Sequence, residues 1–144
     1  MKLNELRDKI HENAKSKGFY DVEEYYRITD GDDGLFADLR HAFFAQRIAL
    51  IHSELSEALE ADRKNAVCDF DFFCKCIEMK EDASGDYYKG MYESCIKGTK
   101  EEEFADVIFR VLDLCGCLDI DIEKHIEFKM RYNALREHKH GKEY

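Results

Sequence analysis

The spacing of apolar residues along the chain predicts helices. The first apolar stripe consists of Leu3, Leu6, Ile10 and Ala14. Intervals of three and four place such residues on one face of a helix, here over about residues 3 to 17. We expect this helix to stop near Gly18, because glycine readily adopts the left-handed conformation that ends many helices. The chain has no proline and little β-branched alternation, so an all-β fold is not indicated.

A second and much longer helical pattern follows the polar, glycine-bearing segment at residues 29 to 34. It covers about residues 36 to 64, or roughly eight turns, and a helix of that length is typical of bundles. Residues 65 to 99 are less regular. The stretch CDFDFFCKCIEMK is compatible with a helix, EDASGD with a break, and YYKGMYESCIKG with a short helix or an ordered loop.

Two more helices are predicted in the last third of the chain. Thr99 and Glu102 have the spacing of a capping box, which predicts a helix from about residue 100 to 115. Gly116 is expected to end it. A last helix is expected over about residues 119 to 138, because its apolar residues fall on one side.

The composition fits a globular protein built from these helices. Hydrophobic residues make up 44% of the 144 positions and charged residues 38%, whereas disordered chains combine high charge with far fewer apolar groups. The expected fold class is all-α, with a four-helix-bundle-like core, a long second helix and an irregular insert at about residues 65 to 99. A single domain is expected to span residues 1 to 144.

Charge and hydropathy indicate which classes of partner the protein is expected to bind. No stretch approaches the roughly 18 apolar residues of a membrane span, and the start lacks a signal peptide, so we expect a cytoplasmic protein without membrane contact. The net charge of −10 opposes binding to nucleic acid polymers. Residues 129 to 142 differ, with five Lys or Arg against one Glu. Composition alone favours a solvated helix end there, whose cations complement the helix dipole.

The six cysteines are expected to be reduced thiols that act as small hydrophobic residues. Two pairs have C-x-C spacing, in FCKCI and LCGCL. On a helix such neighbours point about 200° apart, unlike the C-x-x-C knuckles that hold zinc. A zinc site is therefore not expected.

Two pairs of acidic residues fall against apolar helix faces. On the long helix, Glu54 lies inside the apolar half and Glu57 at its border. Glu103 and Asp106, also three residues apart, sit beside the apolar arc of the next-to-last helix. A buried carboxylate is costly unless it is paired or binds a metal. If the two helices pack side by side, four carboxylates converge and offer the oxygen ligands that Mg²⁺ prefers.

Other interpretations of the sequence remain open or find less support. Acidic residues number 32, so chance pairs are common, and solvated acidic faces on a non-enzymatic helical protein-interaction module are the alternative. A glycine-rich phosphate loop is missing, and only Glu137 and His140 have the Glu-x-x-His spacing that di-iron bundles need twice. The aromatic residues between positions 70 and 92 either line a base pocket or fill core, and core is favoured.

Three blocks of sequence resemble the MazG-like branch of the all-α nucleoside triphosphate pyrophosphohydrolases. They are IALIHSELSEALEADRK, EEEFADVIFRVLDLCG and KMRYNALREHKHGK, at about residues 47 to 64 and 101 to 142. That family has a Glu-x-x-Glu pair, a later Glu-x-x-Asp pair and a C-terminal segment with Lys, Asn and further basic residues. The resemblance implies a four-helix core, usually oligomeric, here a homo-oligomer (dimer or tetramer). It also implies Mg²⁺-dependent hydrolysis of (deoxy)nucleoside triphosphates to monophosphate and pyrophosphate.

The resemblance assigns a role to each matching residue. The metal ligands would be Glu54, Glu57, Glu103 and Asp106, for Mg²⁺ with Mn²⁺ as a substitute. Glu57, at the border of the apolar arc, is also the candidate general base. The residues that would contact the substrate, mainly its phosphate oxygens, are Lys129, Asn133, Arg136, Lys139 and Lys142. Two features depart from the family: 45 residues separate the acidic pairs, a long spacer, and Glu137 stands where many relatives carry proline.

Overall fold

The computed structural model describes residues 2–21, 34–80 and 85–136, which form six helices and no strand. In chain order these are α1 (Leu3–Ser16), α2 (Gly34–Arg63), α3 (Phe70–Glu78), α4 (Gly85–Cys95), α5 (Lys100–Cys117) and α6 (Ile122–Ala134). The predicted all-α fold with bundle-like helix packing is confirmed, as is the long second helix, which has 30 residues. Within these ranges, no helix combines the length and apolar character that crossing a bilayer requires.

The helices fall into two compact units. The terminal unit contains α1, the end of α5 from Val111 onward, and α6. The central unit contains α2, α3, α4 and α5 as far as Arg110. All four acidic residues that the sequence singles out therefore belong to the central unit, whereas the basic residues of α6 belong to the terminal unit. The single domain over residues 1 to 144 stays a prediction.

In the terminal unit, polar contacts join α1 to the start of α6. The side-chain amide of Asn4 donates to Asp121 Oδ1 at 2.7 Å, and its backbone N–H donates to Glu123 Oε2 at 3.2 Å. Asp121 also accepts the backbone N–H of Lys124 at 3.2 Å and so caps the helix. The bonds from Asn4 and Lys124 lower the pKa of Asp121. Because this cap sets the start, α6 begins later than residue 119, and its predicted end at 138 lies outside the described residues.

Gly116 does not end α5, contrary to the prediction, because the helix continues beyond it. The residue in the left-handed conformation is Asp119, with φ of 51°. The N–H of Ile120 returns to the carbonyl of Cys115 at 2.9 Å, which satisfies one of the last carbonyls of the helix. Gly116 has another role: a Cβ there would lie 2.6 Å from the Cβ of His11 on α1. Glycine therefore permits the close contact between α1 and α5.

The insert predicted to be irregular contains α3 and α4, which pack on each other in the central unit. Phe73, Cys95 and Ile96 form its buried core. Phe73 makes edge-to-face ring contacts with Tyr88 and Tyr92, whose centroids lie 5.6 and 6.1 Å from that of Phe73. The expectation that these aromatic residues fill core is confirmed for Phe73, whereas the other two phenylalanines of α3 are exposed.

No disulfide joins the six cysteines, all of which lie in the described residues. Cys95, Cys115 and Cys117 are buried, and the other three are half-buried. Burial raises the pKa of the Cys115 thiol. The expectation that the cysteines act as small hydrophobic residues is thus confirmed for the buried three.

We expect Gly116→Ala to reduce the free energy of unfolding by about 1 to 2 kcal/mol, although alanine is the better helix former. The added methyl group would collide with His11, whose Nδ1 is held 2.9 Å from Asp113 Oδ1. Urea denaturation followed by circular dichroism measures the change. Gly90→Ala in α4 is the matched control, because a Cβ there meets nothing within 4 Å. A gain in stability for both variants would contradict the close helix contact.

Candidate metal centre

Helices α2 and α5 bring acidic side chains together in the central unit. Glu54 and Glu57 are one turn apart on α2, and Glu103 lies near the start of α5. One carboxylate oxygen from each of these three residues lies within 4.8 Å of the other two. The two acidic pairs of the sequence thus meet at these three side chains, which are called the acidic group below.

The start of α5 is fixed by local bonds and by a contact with α2. Thr99 Oγ1 accepts the backbone N–H of Glu102 at 3.4 Å, as the predicted capping box requires. The Glu102 carboxylate accepts the N–H of Gly98, one residue before the position that a capping box would use. Lys100 Nζ lies 3.0 Å from Asp62 Oδ1 near the end of α2. These contacts set the rotation at which the first turns of α5 face α2.

Burial separates the members of the acidic group. Glu54 and Glu103 are only 6% and 8% exposed, whereas Glu57 is open to solvent. The sequence places Glu103 beside the apolar arc of α5, and Glu103 is buried, whereas the apolar residues Phe104 and Ile108 of this helix are 53% and 54% exposed. The spacing of residues therefore does not decide by itself which side chains of the first turns are covered.

Arg110 supplies a cation to the acidic group. Its Nε and Nη2 both contact Oε1 of Glu54. The side chain of Glu54 is 7% exposed and that of Arg110 is 39% exposed. The buried carboxylate therefore has the charged partner that its burial requires. Arg110 was not predicted as part of the site; its position four residues after Asp106 indicates a cation near Asp106 but does not identify Glu54 as its partner.

The ionisation of Glu103 is strongly perturbed. Burial is the main cause that raises the pKa of Glu103 from 4.5 to about 7, followed by the negative charges of Glu57 and Glu102. A hydrogen bond with Glu54 contributes as well, because two carboxyl groups can bond only when one of them keeps its proton. Below about pH 7, the acidic group therefore keeps a proton on Glu103, and a bound cation would relieve the same repulsion.

Asp106, the fourth predicted ligand, lies half-buried next to the acidic group. Its pKa is raised by burial first and then by the charges of Glu54 and Glu102, while Arg110 acts in the opposite direction. These influences place Asp106 in the same electrostatic environment, although its oxygens do not belong to the set of three that lie within 4.8 Å of one another.

A shallow groove of about 360 Å³ lies on α4 beside the first turn of α5. Tyr88 and Tyr92 line it with their rings stacked at 22° and their centroids 6.3 Å apart. Lys89 and Lys97 add positive charge to its rim. Burial, Glu102 and Asp106 raise the pKa of Tyr92 to about 12, so this groove adjoins the acidic residues of α5.

The predicted phosphate-contacting residues lie on the terminal unit as far as they are described. Lys129 and Asn133 are exposed side chains of α6, and Arg136 is exposed just after the end of this helix. Lys129 Nζ and Arg136 Cζ lie 5.2 and 5.9 Å from the ring centroid of Tyr132, which makes them neighbours on one surface. Their contact with substrate stays a prediction. Of the predicted phosphate-contacting residues, Lys139 and Lys142 lie outside the described ranges.

We expect Glu103→Gln to stabilise the metal-free protein at pH 8 by on the order of 2 kcal/mol and to have little effect at pH 5. The folded protein binds a proton at Glu103 up to about pH 7, whereas an ordinary glutamate loses it near 4.5. Wild-type stability is therefore lost as pH rises through this interval, and the neutral variant escapes that loss. Melting curves in a chelator from pH 5 to 8 measure the difference. A constant offset between the two proteins would contradict the raised pKa.

Comparison with protein-family models, with curated proteins and with solved structures found no match to this chain. We therefore infer its function from its own residues. The observations available for this purpose are the convergence of Glu54, Glu57 and Glu103, the buried pair of Glu54 and Arg110, and the order of the three sequence blocks.

Proposed function

We propose that the protein is a Mg²⁺-dependent pyrophosphohydrolase that converts (deoxy)nucleoside triphosphates to nucleoside monophosphate and pyrophosphate. The observation that carries this proposal is the approach of oxygens from Glu54, Glu57 and Glu103, on α2 and α5, to within 4.8 Å of one another. The resemblance of three sequence blocks to the MazG-like pyrophosphohydrolases supports the same assignment, since their paired acids fall on these positions and on Asp106.

The residues of the acidic group fit a divalent cation. Carboxylate oxygens are the hard ligands that Mg²⁺ prefers, and Mn²⁺ accepts the same set. Two of the three carboxylates are buried, and burial followed by the neighbouring negative charges raises the pKa of Glu103, while Arg110 contacts Glu54. We propose that Glu54, Glu57, Glu103 and Asp106 hold the cation. When bound, it supplies charge neutralisation and polarises the phosphate oxygens.

Glu57 is proposed to act as the general base. Of the three clustered carboxylates it is the one open to solvent, so a water molecule can reach it. Ser53 Oγ donates to its Oε1 at 3.3 Å, a contact that helps to orient this carboxylate. The attacking water gives that proton to Glu57 as its oxygen bonds to the α-phosphorus. The bond from the α-phosphorus to the bridging oxygen breaks, and pyrophosphate leaves with the electron pair.

The basic residues near the end of the chain are proposed to bind the substrate phosphates. Positive charge on an otherwise acidic protein attracts a polyphosphate and offsets its repulsion from the body of the molecule. The exposed ends of Lys129 and Arg136, both near Tyr132, are available for such contacts. The full proposed set is Lys129, Asn133, Arg136, Lys139 and Lys142.

Exposed apolar side chains on α2 and α5 favour association through the central unit. Leu55 and Leu59 are 44% and 51% exposed, and Phe104 and Ile108 are exposed to a similar degree. We propose that the protein forms a homo-oligomer, a dimer or tetramer, that covers such residues. The same exposure is what favours the second candidate, a non-enzymatic interaction module. That candidate requires no divalent cation and no turnover of nucleotides.

We expect purified protein with Mg²⁺ to release monophosphate and pyrophosphate from at least one member of a panel of nucleoside triphosphates. Glu54→Gln and Asp106→Asn should each lower turnover at least a hundredfold, because each removes a ligand charge with little change of shape. Chromatography of the products identifies the bond that breaks. Glu60→Gln is the matched control, since Glu60 lies on the exposed side of α2, 2.8 Å from Arg63.

Two outcomes of this assay would contradict the proposal. Diphosphate with inorganic phosphate would mean a different reaction, and no turnover of any nucleotide would favour the interaction module. Circular dichroism of the variants separates chemistry from folding. Loss of helix content in Glu54→Gln would point to a structural role for the buried carboxylate, because its ion pair with Arg110 would then be needed for the fold.

We expect Lys129→Ala to weaken nucleotide binding several-fold and to leave metal binding unchanged, because a lysine binds phosphate but not Mg²⁺. Titration calorimetry with a non-hydrolysable nucleotide, and separately with Mn²⁺, measures both affinities. Arg131→Ala on the same helix is the control, since Arg131 is exposed and outside the proposed contact set. Equal loss of both affinities would refute this separation of roles.

A further inference from the structure

The pair formed by Arg110 and Glu54 uses one oxygen twice. Both Nε and Nη2 of Arg110 contact Oε1 of Glu54. The same carboxylate belongs to the acidic group, whose oxygens lie within 4.8 Å of one another. The positive charge of the guanidinium therefore lies close to several carboxylates, and it also opposes the rise in the pKa of Asp106 that burial causes.

The two partners differ in their freedom to move. The Glu54 side chain is 7% exposed and cannot turn to solvent without opening the contact between helices, whereas that of Arg110 is 39% exposed. An arginine on a helix surface can extend its guanidinium into water while its apolar stem stays in place. If the pair separates, Arg110 is thus the partner that leaves.

We propose that Arg110 is an internal counter-cation that competes with a divalent metal ion for the carboxylate of Glu54. This inference rests on the proposed function, because it concerns the same metal site. Mg²⁺ requires near-octahedral oxygen ligands at about 2.0 to 2.1 Å, a geometry that leaves little room for two N–H donors on the same oxygen. The positive charges also repel each other at this distance. Metal binding at Oε1 of Glu54 therefore requires the guanidinium to withdraw.

The ion pair of Arg110 with Glu54 stabilises the metal-free protein. Without a cation, a buried carboxylate beside other acids would be strongly destabilising. In that state the ion pair with Arg110 offsets the charge of Glu54, so the buried carboxylate is tolerated without a bound metal ion. The cost is a weaker metal affinity, because each binding event must break the ion pair. Arg110 thus sets the metal concentration at which the site fills.

The test compares two substitutions that differ in charge. Arg110→Gln removes the charge but keeps a donor for Glu54, and it should tighten Mn²⁺ binding by roughly tenfold, since one nearby positive charge is lost. Arg110→Lys keeps the charge and should bind Mn²⁺ about as well as the wild type. Titration calorimetry without nucleotide measures these affinities. Arg63→Gln is the control, because Arg63 pairs with the exposed Glu60 and should leave the affinity unchanged.

A measurement on the wild-type protein tests the same inference without relying on variants, which could fail to fold. The Nε–H of Arg110 is bonded to Glu54, so its ¹⁵N-resolved signal should be protected from exchange with water. Saturating Mg²⁺ should remove this protection and shift the signal. An unchanged signal at saturation would overturn the inference, as would equal or weaker Mn²⁺ affinity in Arg110→Gln. If neither wild type nor Arg110→Gln binds metal, the proposed metal site itself fails, and the inference fails with it.

Discussion

Repulsion among carboxylates is the constraint on which the central unit depends. Helices α2 and α5 can pack at their acidic faces only if the charge of Glu54 and Glu103 is offset. The structure offers two means, the guanidinium of Arg110 and a proton on Glu103, whose pKa reaches about 7. A divalent cation would be a third, and it would act on all the acids at once. The chemistry that we propose follows from this same electrostatic demand.

Local signals made the helices predictable from the sequence. The cap at Thr99 and the left-handed glycine at Gly18, with φ of 80°, are formed by residues close to each other in the chain, so their patterns can be read directly. The burial of Glu54 was also predictable, because its position falls within the apolar half of the long helix. The two short helices of the insert were less clear, because their aromatic residues suit core, loop and helix alike.

Features that depend on contacts between distant segments were missed. The partner of Glu54 is 56 residues away, and no spacing rule selects Arg110 for it. Gly116 looked like a helix end, because the approach of His11 is visible only once α1 is in place. The exposure of Phe104 and Ile108 on α5 was missed for a similar reason. An apolar arc and an acidic arc lie side by side on that helix, and the spacing of residues does not show which positions other segments cover.

The rates at which the cysteines are alkylated would report local unfolding of the helices that carry them. A thiol reacts as the thiolate, so burial and a raised pKa make Cys115 slow to meet an alkylating reagent. Cys68, Cys74 and Cys76 are less enclosed. Labels would therefore accumulate first around α3, and their later appearance at Cys115 would report how often the end of α5 separates from its surroundings.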